Sequence, residues 1–323
     1  MRMVWIKSAD VWAADLTVIL YAPVAQLAEY LICNQDVAGS TPVWGSTLFL
    51  RSVSIMQFGC NTSKYDSRDY KLKAELVARI NLPEEYIIPI DIDVKNQKNI
   101  CSCVAHATSS ILEYHSNPRQ KLSTNFIYGI QKELFNNEME GMCLRDACKI
   151  AADYGDMLEE DCPGNTEVPE CYAIAESAIA DANKLDRASQ YRISKYFLCL
   201  TNHDIKYALY KHGPVLAAIK WYRTYKVNDK GILVGEHTGT YGGHAVMVYG
   251  YNKDGFLCQN SWGKNWGDGG RFILPYSVKF TEARGFVDWN GEDELKEPST
   301  GGLWNIIYKM INGLANMVRK FYS

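Results

Sequence analysis

Asn96-Gln97-Lys98-Asn99-Ile100-Cys101-Ser102-Cys103-Val104-Ala105 is the stretch on which the reading of this chain turns. From Cys103 to Tyr114 the sequence runs CVAHATSSILEY, and Val104, Ala107, Ile111 and Tyr114 recur at helical spacing. Cys103 therefore opens a helix, where the positive end of the dipole favours thiolate over thiol. Gln97, six positions earlier, lies on the loop entering that helix. Its side-chain amide can donate beside the sulfur, and the Cys103 backbone N–H supplies a second donor, which together suit an oxyanion. A cysteine at a helix start, taken alone, is more often a buried structural residue. Cys101 is the rival nucleophile, and choosing it shifts every spacing considered below.

Two further segments carry polar groups where core packing alone would not put them. In Tyr241-Gly242-Gly243-His244-Ala245-Val246-Met247-Val248-Tyr249-Gly250, one histidine opens an apolar strand behind two glycines that allow close backbone approach. In Gln259-Asn260-Ser261-Trp262-Gly263-Lys264-Asn265-Trp266-Gly267-Asp268-Gly269-Gly270, an amide ends a strand and a Gly- and Trp-rich turn follows. Cysteine, histidine and asparagine together make an activated thiolate. His244 takes the proton of Cys103, and the Asn260 side-chain oxygen fixes the imidazole.

These three segments, in this order, resemble the papain-like cysteine peptidases, and more closely their compact microbial and viral branch. Asn260 follows His244 by 16 positions and His244 follows Cys103 by 141, both as that family spaces them. LRDACKIAADYG and HDIKYALYKHGPVLAAI resemble the family's middle helix and the strand entering its second half. The resemblance spans residues 56–288. It implies a two-domain fold with a helical half and an antiparallel, barrel-like β half, the active site lying in the cleft between them. It also implies catalytic roles for Cys103, His244, Asn260 and Gln97, a shielding role for Trp262 over the His244–Asn260 bond, and main-chain substrate binding at Gly141, Met142 and Gly243. Three departures stand out. Ile100 stands where the family has the first cysteine of its nucleophile motif, so the usual disulfide there cannot form. The residue after the nucleophile is Val104 rather than Trp, and Met142 replaces the second of two paired glycines. The activity implied is that of a thiol endopeptidase working through a thioester. Acyl transfer to an amine, or an inactive peptide-binding module, are the alternatives.

The rest of the chain fits an α+β protein. Helical patterns are expected at 144–154, ending on a left-handed Gly155, at 173–184, and at 202–212, capped by Asn202 and closed by Gly213-Pro214. After Pro214 come short apolar strands: VLAAIKW, GILVG, HAVMVYGYN, GFLCQNS and GRFILPY. Helices first and strands second divide the domain at 91–200 and 201–288. An extended arm, 56–90, precedes it and is taken as the whole of the leader, with no long helical propeptide. Residues 289–302 read as a polar linker. Residues 303–323 form an amphipathic helix with a cationic polar face, suited to a membrane surface, a partner or docking on the domain. Residues 1–55 fit no signal peptide. Residues 23–48 resemble a translated transfer-RNA gene, so translation is expected to start at Met56.

The composition narrows the class. The chain has 323 residues, 47% hydrophobic and 22% charged, with a formal net charge of −3, which excludes a disordered or low-complexity protein and offers no electrostatic footing for nucleic acid. The expected partners are peptide or protein substrates met by a monomer. The ten cysteines show no CxxC pair, so no metal and no cofactor is expected. Cys162 and Cys171 could close a small disulfide loop, and Cys148 belongs on a helical core face. Small residues Gly242, Gly243, Ala218 and Ala245 suggest room for a bulky apolar side chain near the site.

Overall fold

The computed structural model describes residues 58–72, 77, 80–135, 140–164, 168–287 and 295–296. The expected amphipathic helix at 303–323, most of the linker at 289–302, and the leading 55 residues lie outside the described residues.

Most strands belong to one open sheet, while β7 (Lys226–Val227) and β8 (Leu233–Val234) form a separate two-stranded ribbon. The order of the open sheet is β11 (Arg271–Pro275), β10 (Gly255–Gln259), β9 (Tyr241–Tyr251), β6 (Val215–Tyr222), β12 (Phe280–Val287), β5 (Lys195–Leu198), β2 (Tyr70–Leu72) and β13 (Leu295–Lys296), with β3 (Tyr86–Ile87) also pairing with β9. The core pairings are antiparallel, but among the described residues the sheet does not close, so it is barrel-like only in its curl.

Alternation along the central strands explains why they read as unbroken apolar runs. Leu216 and Ala218 on β6, with Ala245 and Met247 on β9, face a helical core; Val215, Ala217, Ile219 and Trp221, with Val246 and Val248, face a second core. Side chains of a strand alternate between faces, and here both faces are buried, so neither is polar.

The helical core is built around α1 (Cys103–His115), buried from Cys103 through Glu113. The expected amphipathic helix is therefore enclosed on nearly all sides, as central helices are. It packs on α2 (Thr124–Phe135), α3 (Leu144–Asp153) and β9. The buried Glu113 carboxylate on α1 is matched by Lys95 at 2.7 Å and by the Leu122 N–H at 2.8 Å.

Local signals succeed unevenly. α3 ends as expected: Gly155 sits at φ +82 and its N–H reaches the Ile150 carbonyl at 3.0 Å. Cys148 lies on the core face of α3 with no exposure. The pattern at 173–184 resolves into two helices, α4 (Val168–Ile179) and α5 (Ala182–Ala188), because Asp181 caps the second. α6 (Asn202–Lys211) is capped by Thr201 and not Asn202. The Thr201 side chain accepts from the Asp204 N–H while the Asp204 side chain accepts from the Thr201 N–H, a reciprocal pair that Asn202 cannot make. Cys162 is a free, buried thiol and does not take up the disulfide expected of it.

The arm lies in the groove between the halves. β1 (Cys60–Asn61) pairs in parallel with β4 (Met142–Cys143), and the Met142 N–H donates to the Gly59 carbonyl at 2.8 Å.

Candidate active site

Each of the three motifs delivers its residue through local chain geometry. Cys103 is the first residue of α1 and is fully buried. Its sulfur faces backbone N–H groups of Val104 and of Ala245, the residue that follows His244. His244 enters on β9 opposite Ile219 of β6, and Asn260 follows the end of β10. The two meet at 2.7 Å, His244 Nε2 to Asn260 Oδ1.

That bond fixes the imidazole tautomer. Asn260 Oδ1 also accepts from the Ser261 N–H at 2.8 Å, so it is the amide oxygen and an acceptor only. Nε2 must therefore carry the proton, leaving Nδ1 as the lone-pair nitrogen, and Nδ1 has no hydrogen-bond partner. The ring is boxed by aromatics. Trp262 stacks on it at 4.6 Å between centroids, and Trp221 meets it edge-on at 5.2 Å. Excluding water here protects the His244–Asn260 bond from competition.

Gln97 is fully buried; its Nε2 donates to the Ile100 carbonyl at 2.8 Å and its Oε1 accepts from Ser261 Oγ at 2.5 Å. Ser261 thus serves both partners, the Asn260 oxygen through its N–H and the Gln97 oxygen through its hydroxyl. Cys101 is buried two residues before α1, and its carbonyl faces Gly59.

The arm covers Cys103 and the glycines that precede His244. Gly59 turns its N–H toward the Cys103 sulfur. A Cβ on Gly59 would lie 1.9 Å from the Cys101 carbonyl oxygen, so only glycine passes. The Cys60 carbonyl takes the space beside Gly243, and the Phe58 ring fills the space over Gly242 and meets His244 edge-on at 6.2 Å. Gly141, at φ +88, accepts from Gln131 Nε2 at 3.1 Å. Ala218 and Ala245 pair across β6 and β9 in the helical core, so the room expected near the glycines is the space that Phe58 occupies.

Covering sets the protonation. Burial pushes the Cys103 thiol up to about 11 against the lowering effect of the surrounding N–H groups, and burial holds His244 down to about 4 against the Asn260 bond. The sequence expectation of a thiolate at the helix start is reversed in this covered state, because desolvation outweighs the dipole.

A profile described as papain family cysteine protease matches residues 90–282. The chain belongs to the papain family of cysteine proteases. Among curated relatives, a gut-specific cysteine proteinase from Caenorhabditis elegans is 31% identical over 120 residues, 35% of each chain. A cathepsin B-like cysteine proteinase 2 from Haemonchus contortus is 27% identical over 139 residues, 40% of each. The chain thus spans well under half the length of these relatives. Among solved structures, xylellain, a cysteine protease from Xylella fastidiosa, superposes with TM-score 0.62 at 22% identity, covering 72% of this chain and 96% of xylellain. A procathepsin B from Trypanosoma congolense gives 0.56 at 21% identity, covering 71% and 85%. These structures share the papain fold.

Three contributors to this papain-family site escaped the sequence reading: Trp221, Ser261 and Phe58. Trp221 was signalled only by its place opposite Gly242 on the neighbouring strand, a pairing that needs the register. Among the described residues, no three His, Cys, Asp or Glu side chains come together as a metal site.

Proposed function

We propose that this chain is a thiol endopeptidase held latent by its own arm. The reading is carried by the His244–Asn260 bond, which leaves Nδ1 as the ring's base on the residue preceding Ala245, whose N–H faces the Cys103 sulfur. Once the arm departs, the Cys103 proton passes to His244 Nδ1, and the sulfur adds to the carbonyl carbon of a peptide bound in the groove. The Cys103 N–H and Gln97 Nε2–H stabilise the oxyanion. The intermediate collapses as Nδ1–H protonates the leaving amine and the thioester forms. Water then attacks the thioester, giving its proton to Nδ1, and the acid leaves with Cys103 restored. Asn260 Oδ1 accepts from Nε2–H throughout, which keeps the ring oriented.

The arm escapes its own enzyme because of what it presents. Gly59 offers the sulfur an N–H, while its carbonyl is turned to Met142, so that carbonyl carbon is not directed at the nucleophile. The test is alkylation of the reduced full chain, its arm turned out by Gly59→Ala, with a thiol-directed epoxide, followed by peptide mapping and a cleavage assay. An adduct on Cys103 that abolishes cleavage of a peptide supports the reading. Cleavage that continues with Cys103 fully modified rejects it.

A further inference from the structure

Beyond the thiol, the arm makes a second engagement. The Asp69 carboxylate, 9% exposed, is held between two arginines, one from each half of the domain. Arg145 of α3 reaches it through Nε at 3.0 Å and Nη2 at 2.6 Å; Arg284 of β12 reaches it through Nη2 at 3.1 Å. Both arginines are buried, at 6% and 2% exposure. Burying two guanidinium groups side by side is costly unless anions meet them.

The source of those anions matters. Among the described residues, Arg284 has one acidic partner in its own domain, Glu282, bonded through Nε at 2.5 Å. Arg145 has none there: its acidic partners among the described residues are Asp69 and Asp66, both on the arm. The site adjoins the groove, because Ser63 of the same arm segment donates to Glu282 Oε1 and accepts from the Arg145 N–H. No substrate reaches Cys103 until the arm leaves, and the same departure removes two carboxylates and leaves two arginines with one glutamate.

We propose that Arg145 and Arg284 form a subsite for an acidic side chain of the substrate, with Asp69 as its resident stand-in. The pair selects Asp or Glu at one fixed position relative to the scissile bond. A planar guanidinium from each half of the domain fits a carboxylate, and the excess positive charge disfavours neutral or basic side chains. This rests on the peptidase reading above and adds the substrate class.

The test uses the reduced full chain carrying Gly59→Ala and Asp69→Asn, which turn the arm out and release the arginines. A peptide library is digested and its cleavage sites are read by mass spectrometry; matched Glu and Gln peptides then give a ratio of kcat/KM. The expected result is acidic enrichment at a single position, with a Glu/Gln ratio of about tenfold to a hundredfold. That ratio should fall toward one when Arg145→Gln or Arg284→Gln is added. Cleavage without acidic enrichment overturns the subsite while leaving the peptidase reading intact. Enrichment that survives both arginine substitutions also overturns it. A chain that cuts no peptide and takes no epoxide on Cys103 fails at the peptidase reading itself, and the subsite falls with it. The ratio in the chain with both arginines present decides the matter even where a substituted arginine prevents folding.

Discussion

Replacing Asp69 by asparagine keeps the shape of the arm and removes only the charge that clasps it. Three short contacts to Arg145 and Arg284 depend on that carboxylate. Removing one partner from a buried ion pair costs about 3–5 kcal/mol. Here Glu282 still meets Arg284, and Asp66, 3.3 Å from Arg145, is itself partly exposed, so the lower end applies. A loss of about 3 kcal/mol raises the ratio of open to closed arm roughly 100-fold, at 1.4 kcal/mol per factor of ten. When opening is rare and reversible, the alkylation rate of a covered thiol follows the open population. The assay is the rate of Cys103 modification by a thiol-directed epoxide under native conditions, read by peptide mapping. Cys258, fully buried in the strand core, is the internal control for global unfolding. The expected outcome is a Cys103 rate about 100-fold above that of the unsubstituted chain with Cys258 still protected. An unchanged Cys103 rate refutes the clasp. A rise at Cys258 in step with Cys103 shows that Asp69 supports the whole domain and not the arm.

Three other outcomes follow from the geometry. Gly59→Ala places a methyl 1.9 Å from the Cys101 carbonyl oxygen, so it should speed Cys103 labelling without lowering the thermal midpoint of the domain; protected Cys103 would contradict the packing of the arm. Asn260→Ala, measured in an arm-released chain, removes a hydrogen bond to a ring that becomes charged, worth about 1.5–3 kcal/mol, and should lower kcat on the order of 10- to 100-fold with little change in KM. Acid should weaken the covered state. Burial lowers His244 to about 4 and His106 to about 3, so below the ordinary histidine value of 6.5 the unfolded chain binds protons that the native state refuses. Stability present above pH 6.5 is then lost as the pH falls toward 4, by roughly 3 kcal/mol from His244 alone. Urea unfolding at pH 7 and pH 4.5 checks this, and equal stability at both values rejects it.

The parts of the site legible in the sequence were those set by short-range chemistry. Cys103 lies at a helix start, His244 behind two glycines on a strand, and Asn260 at a strand end before a glycine-rich turn; each signal is contained in about ten residues. The cap at Thr201 is equally local, and was missed because Asn202 is itself a good capping residue and hid the Thr201–Asp204 exchange. What was not legible depends on distant partners. FTEARGFV gave no strand signal because its charged residues suggest solvent. Arg284 is nevertheless buried because Asp69, 215 positions earlier, comes to meet it. The arm reads as polar extended chain, and nothing within it announces that Gly59 will lie against Cys101 and Met142. The thiolate expected at Cys103 was overridden by the same cover, since a dipole at a helix end cannot offset the loss of water around a buried sulfur.

The proposed mechanism requires the Cys103 sulfur to become covalently acylated by substrate, with His244 as its base. Its most direct test is rapid acid quenching of the arm-released full chain during turnover of a reactive peptide ester, followed by mass analysis. The expected result is one acyl group per chain, located on the peptide containing Cys103, and no such species in Cys103→Ala. Turnover that persists in Cys103→Ala, or an acyl group found on Cys101, would contradict it.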